Sequence, residues 1–378
     1  MAEETDVVVV GAGPSGLAVG ACLRERGIGF EILEQADAVG ASWRRHYERL
    51  HLHTVKYFSA LPGLRWPEGT PMYPSRAQMV DYLERYAARF RLVPRFGQAV
   101  TRAARVGEGW TVQTAGGEIR SRALVIASGY NRTPVVPSWP GQERFGGQVL
   151  HSSAYRNGAA FKGQRALVVG LGNSGGEIAI DLWEHGAEVS ISVRSPMHVV
   201  PRDLFGIPTQ IQTVALMGRL PPELADRISL RMLDRAVGDL SRYGLHRPAV
   251  GPATQIVREG RVPLIDIGTV ALIKQGKIRV LPGPREITET GVVFSDGREL
   301  GFEVIVLATG YRAGLSDFLE EAWRYTDERG YPRWHGAPTS ARGLFFLGYR
   351  NPLIGALNDI SREAPRVAGH VAGLLGRS

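Results

Sequence analysis

The sequence predicts an α/β protein built from two Rossmann-like dinucleotide-binding domains, the second inserted into a discontinuous first. Three observations carry this prediction. Two glycine-rich turns each follow a β-branched strand and open a helical pattern. A charged residue closes the next strand of both units, where the ribose of a bound nucleotide would lie. Two later strands end in the same phrase, Ile126-Ala-Ser-Gly-Tyr130 and Ala308-Thr-Gly-Tyr311, marking two connections between domains.

The first unit runs Asp6-Val-Val-Val-Val-Gly11-Ala-Gly13-Pro-Ser-Gly16 and reaches Glu34 after Phe30-Glu-Ile-Leu33. Gly11, Gly13 and Gly16 let the backbone turn tightly and approach a pyrophosphate at a helix N-terminus, where unpaired N–H groups and the dipole favour an anion. Glu34 is the acidic residue that would accept adenosine ribose hydroxyls, so this unit predicts FAD. The second unit runs Ala166-Leu-Val-Val-Gly170-Leu-Gly172-Asn-Ser-Gly175 and reaches Arg194-Ser195 after Glu188-Val-Ser-Ile-Ser-Val193. Gly170, Gly172, Ser174 and Gly175 form the second turn. Arg194 suits a 2′-phosphate and Ser195 can donate to the same group, which predicts NADPH over NADH.

Between and beyond these units the elements follow in order. A loop-rich stretch to about residue 75 contains Leu61-Pro-Gly and Arg65-Trp-Pro-Glu-Gly. Ala77–Phe90 predicts an amphipathic helix, with Met79, Tyr82, Leu83, Tyr86 and Phe90 at helical spacing. Short strands at 100–127 carry a Gly116-Gly117 hairpin signal, and a proline-rich crossover follows at 131–141. A helical excursion is expected at 202–245, with Pro221-Pro222 at a helix start and Leu224, Ile228, Leu233, Val237 and Leu240 on one apolar face. Strands resume at 277–306, and Gly343 onward gives a last strand and a helix through Leu375. The expected division is 1–150 for the first part of the FAD domain, 151–300 for the NADPH domain and 301–378 for the C-terminal part of the FAD domain.

Composition narrows the function classes. A chain of 378 residues, 44% hydrophobic and 8% aromatic, reads as a soluble globular protein of about two to three domains. The formal charge is +8, but the arginines are scattered and no basic run tracks a phosphate backbone, so no nucleic acid is expected. The single cysteine, Cys22, excludes an internal disulfide and any Cys-x-x-Cys redox pair. Residues 7–23 are uncharged but are explained by the strand–turn–helix, so no transmembrane segment is expected. The acidic start lacks the basic region of a signal peptide, and a cytoplasmic location is expected. The histidines show no metal spacing, and no metal is expected.

Between the two turns, Phe145-Gly-Gly147-Gln-Val-Leu-His151-Ser-Ser-Ala-Tyr155 resembles the F-x-G-x-x-x-H-x-x-x-[YFW] signature of class B flavoprotein monooxygenases. Its terminal Tyr is similar to the flavin-containing monooxygenases; the Baeyer–Villiger branch usually has Trp. Further stretches resemble the YUCCA branch, the plant enzymes that oxidatively decarboxylate indole-3-pyruvate. They include Arg49-Leu-His-Leu-His-Thr, Tyr73-Pro-Ser-Arg-Ala-Gln-Met-Val-Asp-Tyr-Leu, Pro263-Leu-Ile-Asp-Ile-Gly268 and Leu307-Ala-Thr-Gly-Tyr-Arg312.

The resemblance implies an FAD- and NADPH-dependent monooxygenase in which a C4a-(hydro)peroxyflavin oxygenates a small organic substrate, such as an aryl 2-oxo acid. S- or N-oxygenation and Baeyer–Villiger oxidation stand as alternatives, and a flavin-bearing redox sensor without oxygenation is a reading of another class. The implied partners are a small-molecule substrate and molecular oxygen, with a homo-oligomer left open. Where many relatives carry Asn-x-x-Lys near the flavin, this chain reads His53-Thr-Val-Lys56, which makes His53 and Lys56 candidates against surface or structural roles. Trp43, in Gly40-Ala-Ser-Trp43, corresponds to a flavin-contacting stretch or to packing. Asn173 faces the flavin side and the pyrophosphate, or caps its helix. Gly310 joins the cofactor-binding set, and His151 is expected to position a linker rather than act as a base.

Overall fold

The computed structural model describes residues 3–217, 220–252, 254–255, 262–350, 352 and 354–377. They form two compact units, one gathering Met1–Arg44, Thr54–Thr133 and Tyr311–Ser378, the other Arg45–His53 and Pro134–Gly310.

In the first unit, the β-branched run of Glu3–Val10 forms the strand at the centre of the fingerprint, parallel to Phe30–Leu33 on one side and Gly117–Ile126 on the other. Gly117–Ile126 serves two neighbours in turn. Its start pairs antiparallel with Gly109–Thr114 across a turn at Ala115-Gly116, with Gly117 already in the strand, and its end pairs parallel with Leu344–Phe346. Arg102–Val106 completes the sheet beside Gly109–Thr114. The helix Pro14–Glu25, buried from Ser15 to Leu23, packs against the C-terminal helix Ala356–Leu375.

The helix Arg76–Arg89 starts one residue before the expected Ala77 and is fixed by a capping box: Ser75 Oγ accepts from Gln78 N–H, and the Gln78 side chain accepts from Ser75 N–H. Met79, Tyr82, Leu83 and Tyr86 face inward. The hydroxyls of Tyr82 and Tyr86 donate to the carbonyls of Leu64 and Pro62, which ties down the proline-punctuated loop.

The second unit holds a parallel sheet ordered Ile278–Leu281, Glu188–Ser192, Arg165–Val169, Val304–Leu307, Gln148–His151. A three-stranded antiparallel sheet, Pro284–Ile287, Gly291–Phe294 and Glu299–Gly301, shares a core with it through Phe294, Phe302, Ile305 and Leu307.

The excursion differs from the expectation of a purely helical segment. It contains a short hairpin, Asp203–Leu204 with Ile207–Pro208, before the helices Thr209–Met217 and Pro222–Ala236. Leu233, Val237 and Leu240 are buried as expected, but Leu224 is 41% exposed. Ala225 takes the inward position of that first turn, and Asp226 beside it accepts from Thr254 N–H. Among the described residues, no helix is long and apolar enough to cross a membrane.

Candidate functional site

In the first glycine turn two glycines are closely packed and one faces open space. Gly11 has φ +106°, and a Cβ there would lie 2.7 Å from the Ala127 carbonyl oxygen. A Cβ on Gly16 would lie 1.8 Å from the Gly11 carbonyl oxygen. Neither position tolerates a side chain. A Cβ on Gly13, by contrast, would meet nothing within 4 Å. Gly13 caps the helix Pro14–Glu25 without any side-chain bond to the first-turn N–H groups, which leaves them to an anion.

Glu34, 8% exposed, accepts from Ala12 N–H at 2.8 Å and Ala36 N–H at 2.9 Å. These bonds orient its carboxylate on a cleft that Gly11, Ser128, Arg132 and Phe318 also line. Each oxygen keeps a lone pair for a ribose hydroxyl. The residues fit an adenine dinucleotide with free ribose hydroxyls.

The second turn repeats the design. Gly170 has φ +103° and would place a Cβ 2.7 Å from the Ala308 carbonyl oxygen; Gly175 would place one 2.0 Å from the Gly170 carbonyl oxygen; Gly172 opens onto nothing within 4 Å. Gly172 caps the helix Asn173–Glu184, again with no side-chain bond, and Ser174 lies in its first turn. Arg194 is exposed two residues past the strand Glu188–Ser192, with half-buried Ser195 beside it. Gly283 lies beside the Arg194 stem, where a Cβ would be 3.5 Å from Cγ, an ordinary contact distance. This exposed guanidinium fits a 2′-phosphate. Gly310, at φ +84°, accepts through its carbonyl from Val135 N–H at 3.0 Å and from the His151 ring at 3.1 Å.

The remaining candidates divide between the units. Trp43, half-buried, sits in the short helix Ala41–Arg44, and its backbone N–H donates to the Gly40 carbonyl at 2.9 Å. Lys56 starts a 3₁₀ turn, donates to the Thr70 carbonyl and lies 5.6 Å from the centroid of the Tyr57 ring. Both belong to the first unit. Asn173 and His53 belong to the second. Asn173 does not cap its helix; its Oδ1 accepts from Ile265 N–H at 2.8 Å, fastening the strand Leu264–Asp266 to the nucleotide turn. His53, 17% exposed, bonds through Nε2 to Glu177, a residue the motif reading passed over. Glu177 is 2% exposed, and its second oxygen is buried without a partner, a state that costs about 1–3 kcal/mol. Helical spacing alone does not single it out, because Asp181 and Glu184 follow on the same helix.

The signature between the two turns is wiring within the second unit. Phe145 packs on the core of the antiparallel sheet. A Cβ on Gly147 would lie 2.4 Å from the Glu303 carbonyl oxygen. His151 is buried and bonds to Gly310 O; burial pushes its pKa down, with that bond opposing. Tyr155 donates to Asp181 at 2.6 Å, and burial, then that bond, raise its hydroxyl far above the ordinary value. This geometry suits the linker-positioning role expected of His151.

Residues 8–202 match the family model described as pyridine nucleotide-disulphide oxidoreductase. Indole-3-pyruvate monooxygenase YUCCA1 of Oryza sativa subsp. japonica is 43% identical over 93% of this chain and 88% of its own length. Probable indole-3-pyruvate monooxygenase YUCCA1 of Arabidopsis thaliana is 39% identical over 96% of this chain and 89% of its own. Among solved structures, a flavin-containing monooxygenase from Stenotrophomonas maltophilia is similar with TM-score 0.72 at 23% identity, over 98% of this chain and 99% of that one. A structure titled oxidized steroid monooxygenase bound to NADP reaches TM-score 0.81 at 20% identity, over 99% and 86%. These two establish the shared fold. The chain belongs to the YUCCA family of flavin monooxygenases.

Proposed function

We propose that this protein is an FAD- and NADPH-dependent monooxygenase that oxidatively decarboxylates an aryl 2-oxo acid such as indole-3-pyruvate. One observation carries the reading: two bare glycine cradles, one ending in a carboxylate and one in a guanidinium, stand in a chain related along nearly its whole length to indole-3-pyruvate monooxygenases. FAD would be held by Gly11, Gly13, Gly16 and Glu34 of the first unit, with Trp43 near its ring. NADPH would be held by Gly170, Gly172, Ser174, Gly175, Arg194 and Ser195 of the second, with Gly310 closing the turn. The coarse division 1–150, 151–300 and 301–378 follows the same assignment.

Bound flavin would supply the redox chemistry, coupling oxidation of NADPH to reduction of oxygen, with one oxygen atom going to the substrate and the other to water. The protein's share is orientation and exclusion of water, and we assign His53, Lys56 and Asn173 to that share. Family membership and the absence of a basic run support a small-molecule substrate and oxygen as partners. We propose a cytoplasmic location for it, with a homo-oligomer left open. The test is NADPH consumption by purified protein supplied in turn with indole-3-pyruvate, a ketone and a sulfide. Carbon dioxide released equimolar with NADPH consumed, from the 2-oxo acid alone, supports the reading. Turnover of the ketone or sulfide without decarboxylation overturns the substrate class. Slow NADPH oxidation indifferent to all three overturns the enzyme reading in favour of a redox sensor.

A further inference from the structure

The geometry points to Glu177 as the positioning residue for His53. This rests on the reading of His53 as part of the oxygenation site. His53 lies early in the chain, just before Thr54 returns to the first unit, yet it is grouped with the second. Four ties hold the segment Arg45–His53 there. Glu48 N–H donates to the Arg156 carbonyl at 2.9 Å, the Asn157 side chain donates to Glu48 at 3.1 Å, Arg49 pairs with Glu184, and His53 pairs with Glu177.

Glu177, Asp181 and Glu184 follow one another at spacings of four and three along the helix Asn173–Glu184, so they share one face. Each has a separate partner: His53, Tyr155 and Arg49. The Glu184 tie is exposed on the carboxylate side and half-buried at Arg49, and serves as a clip. The Glu177 tie differs because its carboxylate is buried. A buried carboxylate is stable only with a donor held against it, and an imidazole held by a carboxylate has its tautomer set by that bond. Nε2 is therefore the nitrogen that carries the hydrogen toward Glu177, which leaves Nδ1 without one in the neutral ring. Asn173, one turn before Glu177, belongs to the nucleotide turn itself. The helix that would receive the nicotinamide nucleotide thus also fixes the imidazole.

The experiment compares wild type with Glu177→Gln, His53→Gln and the control Glu184→Gln, all as holoenzyme. Proton NMR is the first readout. Wild type and Glu184→Gln are expected to show a far-downfield imidazole N–H resonance that both Glu177→Gln and His53→Gln lack. Steady-state kinetics are the second: Glu177→Gln is expected to keep its FAD and its KM for NADPH within twofold while kcat falls at least tenfold. Glu184→Gln is expected to change kcat less than twofold. The proposal is overturned if the resonance survives His53→Gln or Glu177→Gln, or if Glu177→Gln loses it and keeps kcat. Equal losses of FAD in Glu177→Gln and Glu184→Gln would also overturn it, by showing a clip and no more. The NMR arm does not depend on the substrate, and kcat can be read on NADPH oxidation alone. A wild type that decarboxylates nothing yet shows the paired resonance would sink the substrate reading and leave this one standing.

Discussion

At the scale of single residues, the glycines of each cradle separate by what a methyl group would strike. Gly13 and Gly172 open onto space, whereas Gly16 and Gly175 press on the carbonyls of Gly11 and Gly170. Gly13→Ala is therefore expected to fold with a near-native melting temperature while binding FAD at least tenfold more weakly. Gly16→Ala is expected to lose soluble protein. Flavin content and thermal melting distinguish the two. Arg194→Ala removes the exposed guanidinium from the end of its strand; the ratio of kcat/KM for NADPH to that for NADH should fall by roughly tenfold or more, the scale of one lost charge-assisted bond. An unchanged ratio would contradict the assignment. These residues were legible in the sequence because spacing along the chain sets their geometry. Glu177 was not, because its partner lies 124 positions away and only folding joins them. Asn173 was legible as a residue of the turn, but its hold on Ile265 was not, for the same reason.

At the scale of elements, the C-terminal helix carries a titration buried in the first unit. Glu363 is 4% exposed, lies against Gly336 and accepts from Gly348 N–H. Burial, then Asp359 one turn away, push its pKa up from 4.5 to about 7, against Arg350, Arg366 and the Gly348 bond. The folded state thus holds a proton that the unfolded state releases between about pH 4.5 and pH 7. Stability from this group is greatest below the unfolded value and falls as pH rises through that window, by a total of about 3 kcal/mol. Glu363→Gln should therefore raise the melting temperature relative to wild type at pH 8 and much less at pH 5; equal shifts at both would refute the linkage. The helices of both cradles and Arg76–Arg89 were legible from apolar periodicity. The excursion was read less well: its hairpin is only two residues to a strand, too short for alternation to show. Leu224 was misplaced because the first turn of Pro222–Ala236 turns Ala225 and Asp226 inward instead.

At the scale of the whole molecule, the two units repeat one plan. In each, the carbonyl of the residue just past a strand, Ala127 or Ala308, crowds the first glycine of the turn, and a charged residue, Glu34 or Arg194, follows the strand after it. The repeated phrase at those strand ends made the plan legible before the structure. The return of Arg45–His53 to the second unit was not, since nothing local distinguishes it from the loop around it. The central claim is that this pair of cradles serves oxygenation. It is tested most directly by reducing the holoenzyme with NADPH without oxygen, then mixing it rapidly with oxygenated buffer containing indole-3-pyruvate while following flavin absorbance and carbon dioxide. The account predicts a flavin spectrum distinct from both reduced and oxidised forms before reoxidation, with carbon dioxide equimolar to flavin. Direct return to oxidised flavin, with equimolar hydrogen peroxide and no carbon dioxide, would contradict it.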